Sequence, residues 1–415
     1  MLENKQKIII LGSYWLAIFC EGSSRIIIPL YFASIGISPL KIGFMAFAFE
    51  LFGLLTSILG GYFINRFGYR NGFLASLVFH TIASFGYLSI HGELDVTMML
   101  VIVGVLRAFR GIGKELIETT STAYLKQTNV KGRRGIILQI LFGGKESLRG
   151  VGLFVGGGLL TYLGFVESFA VLGVATLVAL FIAGMYLSDF RELKSIQLKD
   201  FFRTSKRMRY LAVIRLFLYS GRDLWLVVAL PIFLTESGVS NVETSLMVAL
   251  GLVVFGASQV LFSAFLKARG GIGSITLKAN RWRFRDFLFP THLLAALVMA
   301  STMYIPHTIE ILWWIVIIYN LVSGAATASH NHLHIKYAKK RRSSIDISFY
   351  KGVAQLGKTF AVLSSGILYQ MYGLSGCLSA ATISLLCAAI LGYRLNYLQM
   401  QRAQRKLERS VSQSA

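Results

Sequence analysis

The chain has 415 residues, 55% of them hydrophobic and only 15% charged, with a mean hydropathy of +0.62 and a formal net charge of +23. That apolarity excludes a reading as two or three soluble domains, which length alone would suggest. The basic balance would point to nucleic acid, but the basic residues fall in alternate loops between apolar runs of about twenty residues, the length that crosses a bilayer core, so no nucleic-acid partner is expected.

Twelve membrane spans are predicted, near 7–34, 40–62, 72–90, 96–124, 136–163, 167–188, 209–235, 243–266, 287–305, 308–335, 344–372 and 375–397. The first apolar run is too long for a cleavable signal peptide and lacks a small-residue cleavage site. The N-terminus, the even-numbered loops and the C-terminus hold 31 Lys and Arg, whereas the odd-numbered loops hold one, Lys41, beside six acids. Basic residues stay cytoplasmic during insertion. The expectation is a multi-pass protein of the inner (plasma) membrane with both termini cytoplasmic. The chain divides into a bundle over 1–188, a basic linker over 189–208, a second bundle over 209–397 and a tail over 398–415. Loop 267–286 is strongly basic, which suits topology or contact with anionic lipid headgroups.

The halves repeat. Residues 21–38 align with 223–240, so that Glu21 meets Asp223, Pro29 meets Pro231, Gly36 meets Gly238 and Ser38 meets Ser240. At an offset of 208, Arg133–Arg134 meet Arg341–Arg342, Gly144 meets Gly352, Leu148 meets Leu356 and Gly158 meets Gly366. Between the second and third spans stands GYFINRFGYR. It resembles the major facilitator signature at Gly61, Arg66, Gly68 and Arg70, with Asn65 in the place of the usual Asp. Two parallel six-helix repeats are that fold's plan, with the substrate near the midplane between them. The predicted fold class is therefore an all-α membrane protein of twelve transmembrane helices in two six-helix pseudo-repeats. Residues Gly61, Asn65, Arg66, Gly68 and Arg70 are a candidate cytoplasmic latch, in which glycine permits a tight turn and arginine meets acids or helix C-termini.

Ten cations and seven acids fall inside the spans. Arg107, Arg110 and Lys114 share a face of the fourth span, in RAFRGIGKELIE, which resembles the family's Arg-x-x-x-Gly-x-Gly pattern. Lys145 and Arg149 lie on the fifth span, Arg215 and Arg222 on the seventh, Lys351 and Lys358 on the eleventh, and Arg25 on the first. The acids are Glu21, Glu50, Glu115, Glu118, Glu146, Asp223 and Asp346. Intramembrane charges are costly, so they pair, line a cavity or serve transport. Glu21–Arg25 and Lys114–Glu118 are spaced to pair within a helix turn. The excess of cations predicts a cavity that selects an anion, with Arg25, Arg110, Lys114, Lys145, Arg149, Arg222, Lys351 and Lys358 as candidate ligands. Candidate proton carriers are Glu21, Glu50, Asp223 and Asp346. An inside-negative potential already drives an anion outward by about 2.3 kcal/mol per charge per 100 mV, so proton antiport and potential-driven uniport both remain open.

The glycine-rich GVGLFVGGG of the fifth span, 150–158, reads as close helix packing, since it lacks the proline of the drug-antiporter motif. His330, His332 and His334 read as an interfacial polar cluster without the acid or cysteine partner that a metal site would want. Cys20, Cys377 and Cys387 lie scattered in apolar runs. With no Walker loop and no nucleophile–base constellation, neither an enzyme nor an ATP-driven pump is expected, and no cofactor or metal.

Four stretches resemble one narrow group, the organoarsenical efflux permeases called ArsJ: GKELI (113–117), GKESLRGVGLFVGGGLL (144–160), RLFLYSGRDLWLVVALPIFL (215–234) and ISFYKGVAQLGKTFAVLSSGILYQ (347–370). The resemblance implies export of 1-arseno-3-phosphoglycerate, which glyceraldehyde-3-phosphate dehydrogenase forms when arsenate replaces phosphate, and hence arsenate resistance with a functional link to that enzyme. The alternatives are export of another phosphorylated or organic anion or a drug, or a membrane scaffold or receptor that does not transport.

Overall fold

The computed structural model describes residues 2–90, 95–128, 134–188, 204–268, 287–305, 308–337 and 343–412. Most of the linker, most of loop 267–286 and the repeat residues Arg133, Arg341 and Arg342 lie outside them, as do the side chains of Gly61, Asn65, Arg134 and Asp346.

The first half comprises α1 (Leu2–Ser34), α2 (Pro39–Phe67), α3 (Tyr69–Gly86), α4 (Val96–Thr128), α5 (Arg134–Leu163) and α6 (Phe165–Tyr186). Asp95 starts α4: its carboxylate accepts the Thr97 N–H at 2.9 Å, which holds this exposed carboxyl below its ordinary range. The second half begins with α7 (Lys206–Leu226) and α8 (Ala229–Glu236), followed by α9 (Asn241–Ala268), α10 (Leu288–Ser301) and α11 (Ile309–Tyr337). The helical run Ser343–Ser412 is broken at Gly373, with φ 60° and ψ −160°, into α12 (343–372) and α13 (374–412).

Among the described residues, nine helices are long and apolar enough to cross a membrane, and one of these, Phe349–Leu395, is a 47-residue run. At 1.5 Å per residue such a run would be about twice the bilayer core, so the break at Gly373 makes it two spans. The 14-residue α10 and the charge-bearing α5 complete twelve. Two boundaries differ from expectation. The seventh span is not one helix but the pair α7 and α8, because Pro231 has no N–H for the Val227 carbonyl and its ring crowds that turn. Helix α13 continues through the expected tail to Ser412.

The repeat is visible in the backbone. Gly36 and Gly238, at equivalent turns, both take φ 78°, a left-handed conformation that glycine alone adopts without strain. The halves meet along α5 against α9 and α2 against α12. A Cβ on Gly157 would lie 2.8 Å from the Asn241 carbonyl and on top of the Ser245 side chain. A Cβ on Gly366 would lie 2.7 Å from the Pro39 carbonyl and 3.1 Å from the Gly43 Cα. Asn241 and Ser245 are Pro39 and Gly43 shifted by 202, so the two crossings are one contact used twice. The glycines of α5 are packing surfaces: Gly152 and Gly156 abut Phe19 and Ser23 of α1, and Gly150 and Gly157 abut α9. These crossings bring the halves into backbone contact at the end away from the chain start.

Candidate substrate cavity and its charges

Between the halves lies a small cavity of about 50 Å³, room for a few water molecules in this conformation. Its polar lining comes from Arg25, Glu146, Arg149, Arg222, Asp223 and Asn320, its apolar lining from residues such as Leu153, Leu226 and Pro231. The broken seventh span puts Val227, whose carbonyl lost its partner to Pro231, on the wall. Pro29 bears the same relation to Arg25 in α1.

Eight charges form an alternating chain. Glu50 accepts from Arg25 at 2.9 Å, and Arg25 lies 3.5 Å from Glu21. Glu21 accepts from Arg149 Nε at 2.7 Å, and Arg149 Nη1 reaches Glu146 at 2.5 Å. Glu146 lies 3.8 Å from Lys145, which donates to Glu118 at 2.7 Å. Glu118 then meets Lys351 across the halves at 3.3 Å. The other end also reaches α12, because Gln355 donates to Glu50. Lys351 and Gln355 are one turn apart on α12, so the chain closes into a ring. Four acids and four cations cancel, which removes most of the desolvation problem that each would face alone.

Two further pairs are local: Lys114–Glu115 at 3.0 Å and Arg222 Nε–Asp223 at 2.6 Å. The expected Lys114–Glu118 pair does not form, since Glu118 is taken by Lys145 and Lys351. Four in-span cations have no carboxylate partner among the described residues. Arg110, wholly buried, donates to the Cys20 carbonyl at 3.0 Å and to the Ser24 and Ser84 hydroxyls at 2.6 and 2.7 Å. It is enclosed in the first bundle, and the structure does not bring it to the cavity. Arg107 lies 3.4 Å from the Met45 carbonyl and over Phe49. Arg215 is held by Tyr219, Asn331 and Tyr350. Lys358 has no such support: its Nζ lies 4.6 Å from the centre of the Tyr219 ring. The Arg222 guanidinium lies 5.0 Å from the same ring, which keeps the two charges within about 10 Å of each other. Tyr219 was not singled out by sequence, because an aromatic on an apolar helix reads as packing. Its spacing of i, i+3 from Arg222 was the available signal.

Of the expected proton carriers, Glu21, Glu50 and Asp223 are buried and bound to arginine. In the latch segment, Gly68 takes φ 88° at the turn between α2 and α3. Arg70 donates to the carbonyls of Leu187 and Gly184 at 2.7 Å each, covering the C-terminus of α6. Arg66 lies 3.5 Å from the Tyr62 hydroxyl and beside Phe67. The three cysteines are unpaired, and no group of metal-ligand residues occurs among the described residues.

Twelve spans in two six-helix halves, closed on a polar cavity, define a multi-pass membrane transporter for a small molecule. The chain belongs to the Major Facilitator Superfamily, whose family model matches residues 10–362. No curated protein matches the chain.

Proposed function

We propose that this transporter exports an organic anion, specifically 1-arseno-3-phosphoglycerate, and so confers arsenate resistance. It would do so by alternating access in the inner (plasma) membrane, with both termini cytoplasmic. The observation that carries the anion reading is the pair Arg222 and Lys358, both against the Tyr219 ring. Arg222 spends only its Nε on Asp223, leaving its terminal nitrogens for a ligand. Lys358 makes no direct ion pair among the described residues and reaches Glu50 and Glu146 only through space. A planar fork beside a point charge suits a phosphate or carboxylate. The resemblance to the ArsJ permeases supplies the specific substrate, and the 31-to-1 split of basic residues supplies the orientation.

The test is survival on arsenate. Cells that express the chain together with a glyceraldehyde-3-phosphate dehydrogenase should grow at higher arsenate than cells with either alone. Equal protection against arsenite would identify a different arsenic carrier. Absence of protection, with the protein present in the membrane, would refute the arsenical assignment. Export of another phosphorylated anion is then the reading left by the same cations.

A further inference from the structure

The second bundle contains a chain of hydrogen bonds with one direction, outside the cavity and unused by the anion site. It joins α7, α12, α11 and α10 near the end where the polypeptide starts. Arg215 Nη1 lies 2.9 Å from the Tyr350 hydroxyl, which lies 3.1 Å from His330 Nδ1. His330 Nε2 lies 3.1 Å from His292 Nε2, and His292 Nδ1 meets the Leu288 carbonyl. All four side chains are buried.

The proton positions follow from the partners. A carbonyl only accepts, so His292 carries its proton on Nδ1 and offers a lone pair at Nε2. His330 therefore donates from Nε2 and accepts at Nδ1. Arginine only donates, so the Tyr350 oxygen receives Arg215 and its hydroxyl turns to His330. Both imidazoles are neutral and each donor has one acceptor. An added proton finds no vacant lone pair. On His292 Nε2 it would face the His330 N–H and part α10 from α11. On His330 Nδ1 it would face the Tyr350 hydroxyl and part α11 from α12.

Groups that face the pair are Arg215 and Tyr219 from α7, Tyr350 from α12, and His334 one turn along α11. The surrounding cluster, which includes Leu266 of α9 and Ala388 and Leu395 of α13, is apolar. No carboxylate pairs with His292, His330, Arg215 or Tyr350 among the described residues. Asp346, one turn before Tyr350, lies outside the described side chains.

We propose that the His292–His330 pair is a proton-binding site of the transport cycle: neutral, it locks α10, α11 and α12 together, and one proton from water at that end opens the lock. The same Arg215 that starts the chain also holds Tyr219, the ring that both Arg222 and Lys358 approach. The lock is thereby wired to the cation site, yet its existence does not depend on what the cavity carries.

Hydrogen exchange on the purified full-length protein tests this at about pH 7.5 and about pH 5.5, which bracket the titration of a water-exposed histidine, the state each ring reaches once the lock is open. Times are scaled for the intrinsic pH dependence of exchange. Peptides covering 288–301 and 324–337 should exchange about tenfold faster at the lower pH, the change that loss of about one hydrogen bond makes in an opening equilibrium. The double variant His292→Gln with His330→Gln, which leaves no imidazole in the pair to protonate, should show no acid response. Tyr350→Phe, which keeps the ring and leaves His330 Nδ1 vacant, should lose most of it, so the test survives poor folding of the first variant. Asp346→Asn should respond as the parent does. Equal protection at both pH values, or a full response in the double variant, would overturn the proposal, as would loss of the response in Asp346→Asn.

Discussion

Lys358 separates a role in binding from a role in holding the fold. Replacing it with Met keeps the length of the side chain and removes the charge. The one direct contact the substitution takes away is the cation over Tyr219 at 4.6 Å, worth about 0.5–2 kcal/mol; the Lys358 charge acts on Glu50 and Glu146 only from beyond ion-pair distance. No buried carboxylate is stranded. Arg149→Met is the counter-case: it leaves Glu21, 1% exposed, and Glu146 short of their closest cation, a loss of about 3–5 kcal/mol. Purified Lys358→Met should therefore melt near the parent temperature, while Arg149→Met melts well below it or fails to accumulate. If Lys358 grips the anion, its removal forfeits a charge-assisted hydrogen bond of about 1.5–3 kcal/mol, or about 10- to 150-fold in affinity. The assay pairs melting with arsenate survival, beside stabilisation of the purified protein by 3-phosphoglycerate as an anionic probe. A Lys358→Met protein that melts like Arg149→Met, or one that protects and binds as well as the parent, would refute the reasoning.

Arg222→Lys should impair export more than the retained charge suggests, because lysine cannot hold Asp223 and present two parallel donors at once. Normal export by a stable Arg222→Lys protein would count against a two-pronged grip. Gly366→Leu should force α12 away from α2, since even a Cβ there would lie 2.7 Å from the Pro39 carbonyl. The expected sign is faster maleimide labelling of Leu40→Cys in the purified protein, and unchanged labelling with unchanged melting would show that the crossing is slack. Reporter fusions after Lys206 and Lys278 should report cytoplasm and those near Glu93 and Glu243 the opposite side. Any fusion pattern that needs an odd number of spans would break the map.

The architecture was readable because its causes are local or periodic. Apolar run length gave the spans, and Gly36 with Gly238 marked the same turn in each half. The break between α7 and α8 was readable only in part, as Pro231 was noted for symmetry and not for the carbonyl it leaves at Val227. The charge pairing was hidden. Arg149 meets Glu21 across 128 residues and Lys351 meets Glu118 across 233, so helix spacing suggested Lys114–Glu118 where tertiary packing makes other pairs. His292 gave no signal at all, for a lone histidine beside Pro290 becomes informative only when α11 brings His330 within 3.1 Å.

The ring of charges has a consequence for how the halves come apart. Both of its contacts with the second half sit on a single turn of α12, and Lys351 is already 40% exposed. A swing of that helix releases Gln355 and Lys351 together, so the seam parts in one motion and not bond by bond. It also divides a neutral object into unequal pieces. Glu50, Glu21, Glu146 and Glu118 stay behind with Arg25, Arg149 and Lys145, one negative charge in excess, and α12 leaves with one positive. Parting therefore works against Coulomb attraction unless something negative enters beside Lys351 and takes over from Glu118. A cation in the same place would be drawn to the first half and repelled by the lysine. If an anion is the cargo, as proposed, the seam would favour that sign as it opens, ahead of the proposed contacts with Arg222 and Lys358.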